Sequence, residues 1–453
     1  MAILLAQLMI VVDGTVIYTA LPAIAAELGL STATLSWVPN IYMLTLGGFI
    51  LLGARTGDLL GHKRVFIIAN IVFIFASCSA GLADSFPGML ISRACQGIAA
   101  AFVAPTALSL LMLLFIHGPA RERAIGFYTA VSGGGSALGL LAGGILTSWL
   151  SWRYVFFINL PLGFLLLVAG SRYLPASDKE RGRFDIPGAL TCTTGMILLV
   201  YGLVQTTQSA ASHVVISLMA AAAFLLVFIV IERRVSQPML PLSLFRCPQR
   251  TGAYLSKLLL VGGMLGTFFF LTQYAQNILG FSAFDTALIF LPLSLAQFIV
   301  VIFALPRLAS CFSHRSLLIA GLLVASSGML WLYNLDSRAL QFADFMVPML
   351  LLGTGSGAAL VPLALFGVSG ATTAESGAAS GMVNVTHYLG GAAGTAVMLG
   401  LSEAVHSFFS SGISDGRQMM AISASCAALF FALAIVISLL TARRGSPRHS
   451  HQI

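Results

Sequence analysis

The sequence predicts an all-α integral membrane protein of fourteen spanning helices, arranged as two six-helix halves joined by two inserted helices. Composition is the first observation behind this reading: hydrophobic residues make up 58% of the 453 and charged residues 8%, against roughly 25% charged in an ordinary soluble domain. The second is spacing. With about 20 residues per span, the chain breaks at charged, proline-containing and serine-rich punctuation into fourteen apolar stretches. The third is the placement of the basic residues, which fall almost entirely in alternate loops.

In order, the first span covers residues 2–22. It has no basic leader, no small-residue cleavage site and an acid in its middle, so it reads as a retained helix and not as a signal peptide. Met1 lies at the membrane edge, which leaves room for a short cytoplasmic tail ahead of it. Spans 35–55 and 65–83 are joined by a very short polar loop, 88–115 carries an arginine, 124–149 is glycine-rich, and 154–174 follows Ser151-Trp152-Arg153. Spans 186–206 and 214–232 have no ionisable residue inside them, only Glu232 at the far end, and are bounded by the charged segments 175–185 and 233–250. They read as the insert. The second half follows as 252–275, 285–305, 316–333, 343–366, 378–402 and 419–441. The expected organisation is therefore a half at 1–175, a linker with two extra helices at 176–250, and a second half at 251–453.

With the N-terminus inside, every one of the 23 lysines and arginines except Arg93, Arg153, Arg338 and Arg417 lies in a cytoplasmic loop or at a cytoplasmic helix end, Lys257 among the latter. The positive-inside rule then sets both orientation and helix parity, because omitting one helix would reverse every later loop. Both termini are expected in the cytoplasm and the protein in a bacterial cytoplasmic membrane. A net charge of +8 is explained by this topology, and the absence of a continuous basic patch argues against nucleic acid. The six cysteines are scattered, with no CxxC and no histidine spacing for a metal. Lys63, Lys179 and Lys257 follow His, Asp and Ser, so none completes a Gly-Lys phosphate loop, and no soluble segment is long enough for a nucleotide-binding domain. No cofactor and no metal are expected. An enzyme would need a clustered catalytic set, and His387 has no acidic or metal-binding neighbour at helical spacing.

Asp13 is the most informative residue. A charge at the centre of a spanning helix costs roughly 2.5 to 3.5 kcal/mol even on lenient insertion scales, and such residues usually face a polar cavity. Arg93, with Gln96 one turn on, lies about one turn inside the fourth span; snorkelling outward and pairing with an acid are its two readings. A cation favours the ionised form of a carboxylate near it and burial favours the neutral form, so an Asp13 reached by Arg93 is a proton site whose state follows conformation. Tyr18, Gln96, Asn159, Gln273, Asn277, Asn384 and His387 are the other polar groups within spans. Together with 31 Phe and 16 Met they suggest a largely apolar cavity with a few polar handles, suited to amphipathic and cationic small molecules.

The loop Arg55-Thr56-Gly57-Asp58-Leu59-Leu60-Gly61-His62-Lys63-Arg64 has two glycines for tight turns and an acid that can take a helix N-terminus or a basic partner from a neighbouring helix. It reads as a cytoplasmic clasp formed by Arg55, Gly57, Asp58, Gly61, Lys63 and Arg64. In the fifth span Gly135, Gly139 and Gly143 stand on one face, with Gly144 beside them, and permit close helix packing; Gly353 and Gly357 repeat the device. Arg55 and His62 recur as Arg307 and His314, and Gly139 and Gly143 as Gly390 and Gly394, at nearly one offset. Repeated halves around a midplane site are a recurring transporter architecture.

Taken together, these motifs resemble the major facilitator superfamily, in particular its fourteen-helix drug:proton antiporter branch. Asp13-Gly14-Thr15-Val16 through Ala20-Leu21-Pro22 is similar to the first-helix signature, Arg55 to Arg64 to the cytoplasmic loop motif, Arg93 with Gln96-Gly97 to the fourth-helix motif, and the helix-five glycines to the antiporter motif. Asn277 to Ser282 and Ser380 to Asn384 extend the resemblance over essentially the whole chain. It implies a major facilitator fold and efflux of small molecules against protons, with Asp13 and Arg93 as the coupling residues and the monomer as the working unit. Tyr18 stands where an Asn is usual, His62 where an Arg is usual, and Leu140 where a Pro often follows the glycine. Without that Pro the helix keeps a backbone hydrogen bond and should kink less. A facilitator or importer of a metabolite on the same fold is the rival reading.

Overall fold

The computed structural model describes residues 1–115, 119–175, 185–204, 211–235, 238, 240–334, 342–371, 376–408 and 416–441. Fourteen helices run through them: α1 (Ala2–Leu28), α2 (Thr32–Leu60), α3 (His62–Gly81), α4 (Phe86–Leu114), α5 (Pro119–Trp149), α6 (Tyr154–Tyr173), α7 (Ile186–Val204), α8 (Ala211–Arg234), α9 (Pro248–Ile278), α10 (Ala283–Cys311), α11 (His314–Tyr333), α12 (Phe342–Val368), α13 (Ser376–Phe408) and α14 (Gly416–Thr441). Eleven of them are, among the described residues, long and apolar enough to cross a membrane. The chain is an all-α, multi-pass membrane protein, as its composition requires.

Helix starts follow local chemistry. Ser31, Ser85, Ser282 and Ser313 each accept a backbone N–H at a helix N-terminus, and Ser282 with Asp285 completes a reciprocal capping box. The turn from α2 to α3 is made at Gly61, whose φ of 95° is closed to most side chains. Helix ends differ from the sequence expectation. The first helix continues through Pro22 to Leu28, since a proline removes one hydrogen bond without ending a helix that packing supports on both sides.

The glycine pairs set the packing. Built Cβ atoms at Gly139 and Gly143 would fall 2.0 Å from Thr15 Oγ1 and 2.3 Å from the Val16 carbonyl, so α5 lies directly on α1. Those at Gly390 and Gly394 would fall 2.5 Å from the Leu258 carbonyl and 2.3 Å from Gly262 Cα, so α13 lies on α9 in the same way. The pair α9–α13 thus repeats the pair α1–α5. Gly144 faces elsewhere, toward Ala283 and Ala287 of α10, and ties the two halves together with the Trp149–Phe284 ring contact and the hydrogen bond from Phe284 N to Ser148. On the other flank α13 meets α2, where Tyr388 lies against Gly47 and Leu51 against Gly381.

Candidate functional site

Five helices deliver side chains to one point inside the first half. Asp13 stands midway along α1 and is fully buried, and Arg93, on the third turn of α4, is 1% exposed. Arg93 Nη1 donates to Asp13 Oδ2 at 2.8 Å. Gln96, one turn along α4, and Asn159, near the start of α6, donate to Asp13 Oδ1 at 3.0 and 2.7 Å. The carboxyl group therefore accepts three hydrogen bonds, one of them from a guanidinium.

The second layer of partners fixes the first. Ser77 of α3 accepts from both Gln96 and Asn159 at 3.0 Å and donates to the Phe156 carbonyl at 2.8 Å. Gln96 Oε1 takes a further bond from Arg93 Nη1 at 3.0 Å, and Arg93 Nε donates to the Val38 carbonyl of α2 at 3.3 Å. The guanidinium lies 4.2 Å from the centroid of the Tyr42 ring and 5.8 Å from that of Phe156, distances at which a cation is attracted by a ring face. Arg93 does not snorkel; its charge is held in the protein interior. Its Nη2 is buried and makes no hydrogen bond among the described residues.

Sequence reasoning found Asp13, Arg93, Gln96 and Asn159, and the structure brings these four together. It missed Ser77 and Tyr42, because a helical serine usually bonds its own preceding turn and this chain has aromatic rings throughout. The other polar residues lie elsewhere. Tyr18 is buried with its ring edge-on to Phe268, centroids 5.9 Å apart. Gln273 and Asn277 pair with each other at 2.7 Å in the last turns of α9, at the end of the molecule away from the Arg55–Arg64 loop, and Asn277 is exposed. Asn384 and His387 stand on α13, in the other half from Asp13.

In the loop, Asp58 contacts His62 at 3.4 Å, across Gly61. Lys63 donates to the carbonyls of Ser171 and Leu174 at 2.9 and 2.6 Å, placing a cation on the C-terminus of α6. Gly57 is buried against His62 and Thr106, Arg55 is half-buried, and Arg64 is exposed. Residues 176–184, with Lys179, Arg181 and Arg183, lie outside the described residues. Lys257 is a correction to the charge distribution. It does not sit at a helix end, because α9 already starts at Pro248, with proline in its first turn; nine residues further on, Lys257 is 7% exposed.

At the opposite end Arg153 joins three segments of the first half, reaching Glu27 and, at 2.8 Å, Asp84. Trp152 Nε1 donates to the same Glu27 at 2.6 Å. The hydrogen bond with Glu27 raises the Arg153 pKa above its ordinary value, against a smaller opposing effect of burial.

The family description "Major Facilitator Superfamily" matches residues 3–395 of the chain. The protein belongs to the major facilitator superfamily. It is a transporter and not an enzyme. Among curated relatives it is 37% identical to a puromycin resistance protein of Streptomyces alboniger, covering 87% of this chain and 80% of that one. It is equally 37% identical to a cephamycin export protein of Amycolatopsis lactamdurans, covering 87% and 82%. A tetracenomycin C resistance and export protein of Streptomyces glaucescens is 30% identical over 88% and 74%. Among solved structures, an auto-inhibited peptide transporter of the POT family superposes with a TM-score of 0.70 over 100% of this chain and 98% of that one, at 17% identity. This last likeness concerns the fold.

Proposed function

We propose that this transporter exports amphipathic small molecules, antibiotics among them, from the cytoplasm in exchange for protons, by alternating access, as a fourteen-helix drug:proton antiporter. The observation that carries the reading is the buried Asp13–Arg93 pair. A carboxylate with three hydrogen bonds inside a membrane protein can take up a proton only by giving up its ion pair, so its protonation and the packing of α1 against α4 are linked. The resistance and export relatives support the direction and the class of substrate.

In this reading residues 1–175 and 251–453 are the two moving halves, and 176–250, with α7 and α8, join them. The end carrying the Arg55–Arg64 loop faces the cytoplasm of a bacterial cell, both termini with it. Lipid surrounds the bundle, and one chain is the working unit. Transfer of one charge through the membrane potential yields about 2.3 kcal/mol per 100 mV. At about 150 mV this sustains a gradient of about 300-fold, at 1.4 kcal/mol per decade.

Efflux of a fluorescent substrate from loaded cells, or its uptake into inverted vesicles, tests the reading when an uncoupler is added. Export should stop as the proton gradient collapses. Export that continues unchanged would refute proton exchange.

A further inference from the structure

The interior holds a second charge, which the proton pathway does not use. Lys257 lies well inside α9, and among the described residues its ammonium makes no ion pair and no hydrogen bond. Helical spacing places it on one face with Leu260, Val261, Met264 and Phe268, all buried. Phe268 meets Tyr18 of α1, so this face looks across the molecule toward the first half.

The neighbouring helix presents polar groups to the same space. On α13, Gly390 and Gly394 lie on α9, while Gly381 and Tyr388 lie on α2. The stripe between these two contacts is Ser380, Asn384, His387 and Gly391, at spacings of four, three and four residues. Asn384 is exposed and His387 half-buried, although α13 is packed on both flanks, so the stripe borders the space between the halves. The Leu258–Gly390 contact sets Lys257 almost level with His387, and the two groups interact electrostatically. His387 also packs edge-on to Tyr388, with ring centroids 5.2 Å apart.

The acids of the interior are committed. Among the described residues the buried carboxylates are Asp13, Asp185 and Glu232. Asp13 is bound by Arg93, Gln96 and Asn159. Asp185 accepts from Gly188 N at the start of α7, and Glu232 from Leu240 N at the end of α8, both in the inserted segment. The space between the halves therefore offers an unpaired cation with an imidazole and an amide beside it, and its acid is already neutralised. A buried cation without a partner is costly, and an anion arriving with the substrate removes that cost.

We propose that Lys257, flanked by His387 and Asn384, is the counter-charge for the transported molecule, and that the substrates are amphipathic organic anions carrying a carboxylate. This rests on the export reading above and reverses the cationic preference suggested by composition. The ammonium pairs with the carboxylate, His387 and Asn384 can donate to its second oxygen, and the apolar face of α9 takes the hydrocarbon.

Equilibrium binding to the purified full chain in nanodiscs of neutral lipid tests this directly. The probes are an alkyl-linked coumarin ending in a carboxylate, its primary amide and its trimethylammonium analogue. The wild type should bind the carboxylate at least about tenfold more tightly than the amide, the size of one charge-assisted hydrogen bond. Lys257→Gln should erase that preference, and Lys257→Arg should keep most of it. Equal binding of carboxylate and amide by the wild type, or an unchanged preference in Lys257→Gln, overturns the proposal. So does displacement of the carboxylate probe by stoichiometric phosphatidylglycerol, which would assign the site to a lipid headgroup. No proton gradient is present, so these outcomes are independent of the uncoupler result: a flat charge series removes the anion claim alone, and uncoupler-insensitive export removes proton exchange alone.

Discussion

Replacing Asp13 with Asn separates the ion pair's structural role from its coupling role. The substitution keeps the side chain's shape but removes the charge, and its amide nitrogen must face either Arg93 Nη1 or the amides of Gln96 and Asn159, all of which donate to Asp13 at 2.7 to 3.0 Å. One donor is then set against another, and Arg93, 1% exposed, is left as a buried unpaired cation. Breaking a buried pair from one side costs about 3 to 5 kcal/mol, about a hundredfold to several thousandfold in the folding equilibrium. Asp13→Asn should therefore lower the apparent melting temperature in detergent and abolish uncoupler-sensitive export while leaving downhill flux. Adding Arg93→Gln should recover most of the stability, since no buried charge then remains, without restoring proton-linked export. Thermal melts followed by fluorescence-detected size exclusion, with export assays on all four proteins, close the double-mutant cycle. Strictly additive stability losses would refute the pairing argument. Uncoupler-sensitive export retained by Asp13→Asn would refute the coupling role of Asp13.

Ser77→Ala removes one acceptor shared by two amides and one donor to the Phe156 carbonyl; a loss of about 1 to 3 kcal/mol should appear as a lower melting temperature, and an unchanged melt would show that the network does not depend on the hydroxyl. Gly143→Ala should destabilise far more than Gly135→Ala, because its Cβ falls 2.3 Å from the Val16 carbonyl whereas that of Gly135 meets Val11 and Leu8 side-chain carbons no nearer than 3.1 Å; equal melts would mean that α5 shifts freely on α1. Lys63→Met takes a cation from the C-terminus of α6 and should cost about 0.3 to 1 kcal/mol, with export close to normal; loss of export without loss of stability would assign Lys63 a part in the cytoplasmic clasp.

The helix count and the acid–base pair were legible because both rest on strong physical constraints: spans must be apolar, and a charge placed in one must be compensated. Neither argument depends on knowing a neighbour. The parts that stayed hidden are those a local partner can satisfy. Gln273 and Asn277 stand four residues apart on a helical ridge and bond each other there, a contact that helical spacing alone allows. Lys257 was misplaced for a related reason. Near an expected helix end a lysine normally reaches the interface along its own stem, and only the true start of α9 at Pro248, together with the packing on α13, shows that it does not. Ser77 carries no signal in sequence at all, since its function depends on three helices meeting at one oxygen.

The two interior charges differ in a way that bears on coupling. In the first half the acid and base are neutralised within one body, so occlusion of the empty transporter adds no unpaired charge there. In the second half Lys257 has no ion-pair partner among the described residues. If its partner is the substrate anion, closing the space between the halves without substrate would trap a cation away from water and from any carboxylate, at a cost of several kcal/mol. Loaded, the same closure buries a neutral pair. Under the exchange proposed above, the substrate-free return step would carry that cost, and proton uptake at Asp13 would drive it. On these two proposals the transporter would separate its ligands by charge: the proton would go to the acid that has a partner to release, and the organic anion to the base without one.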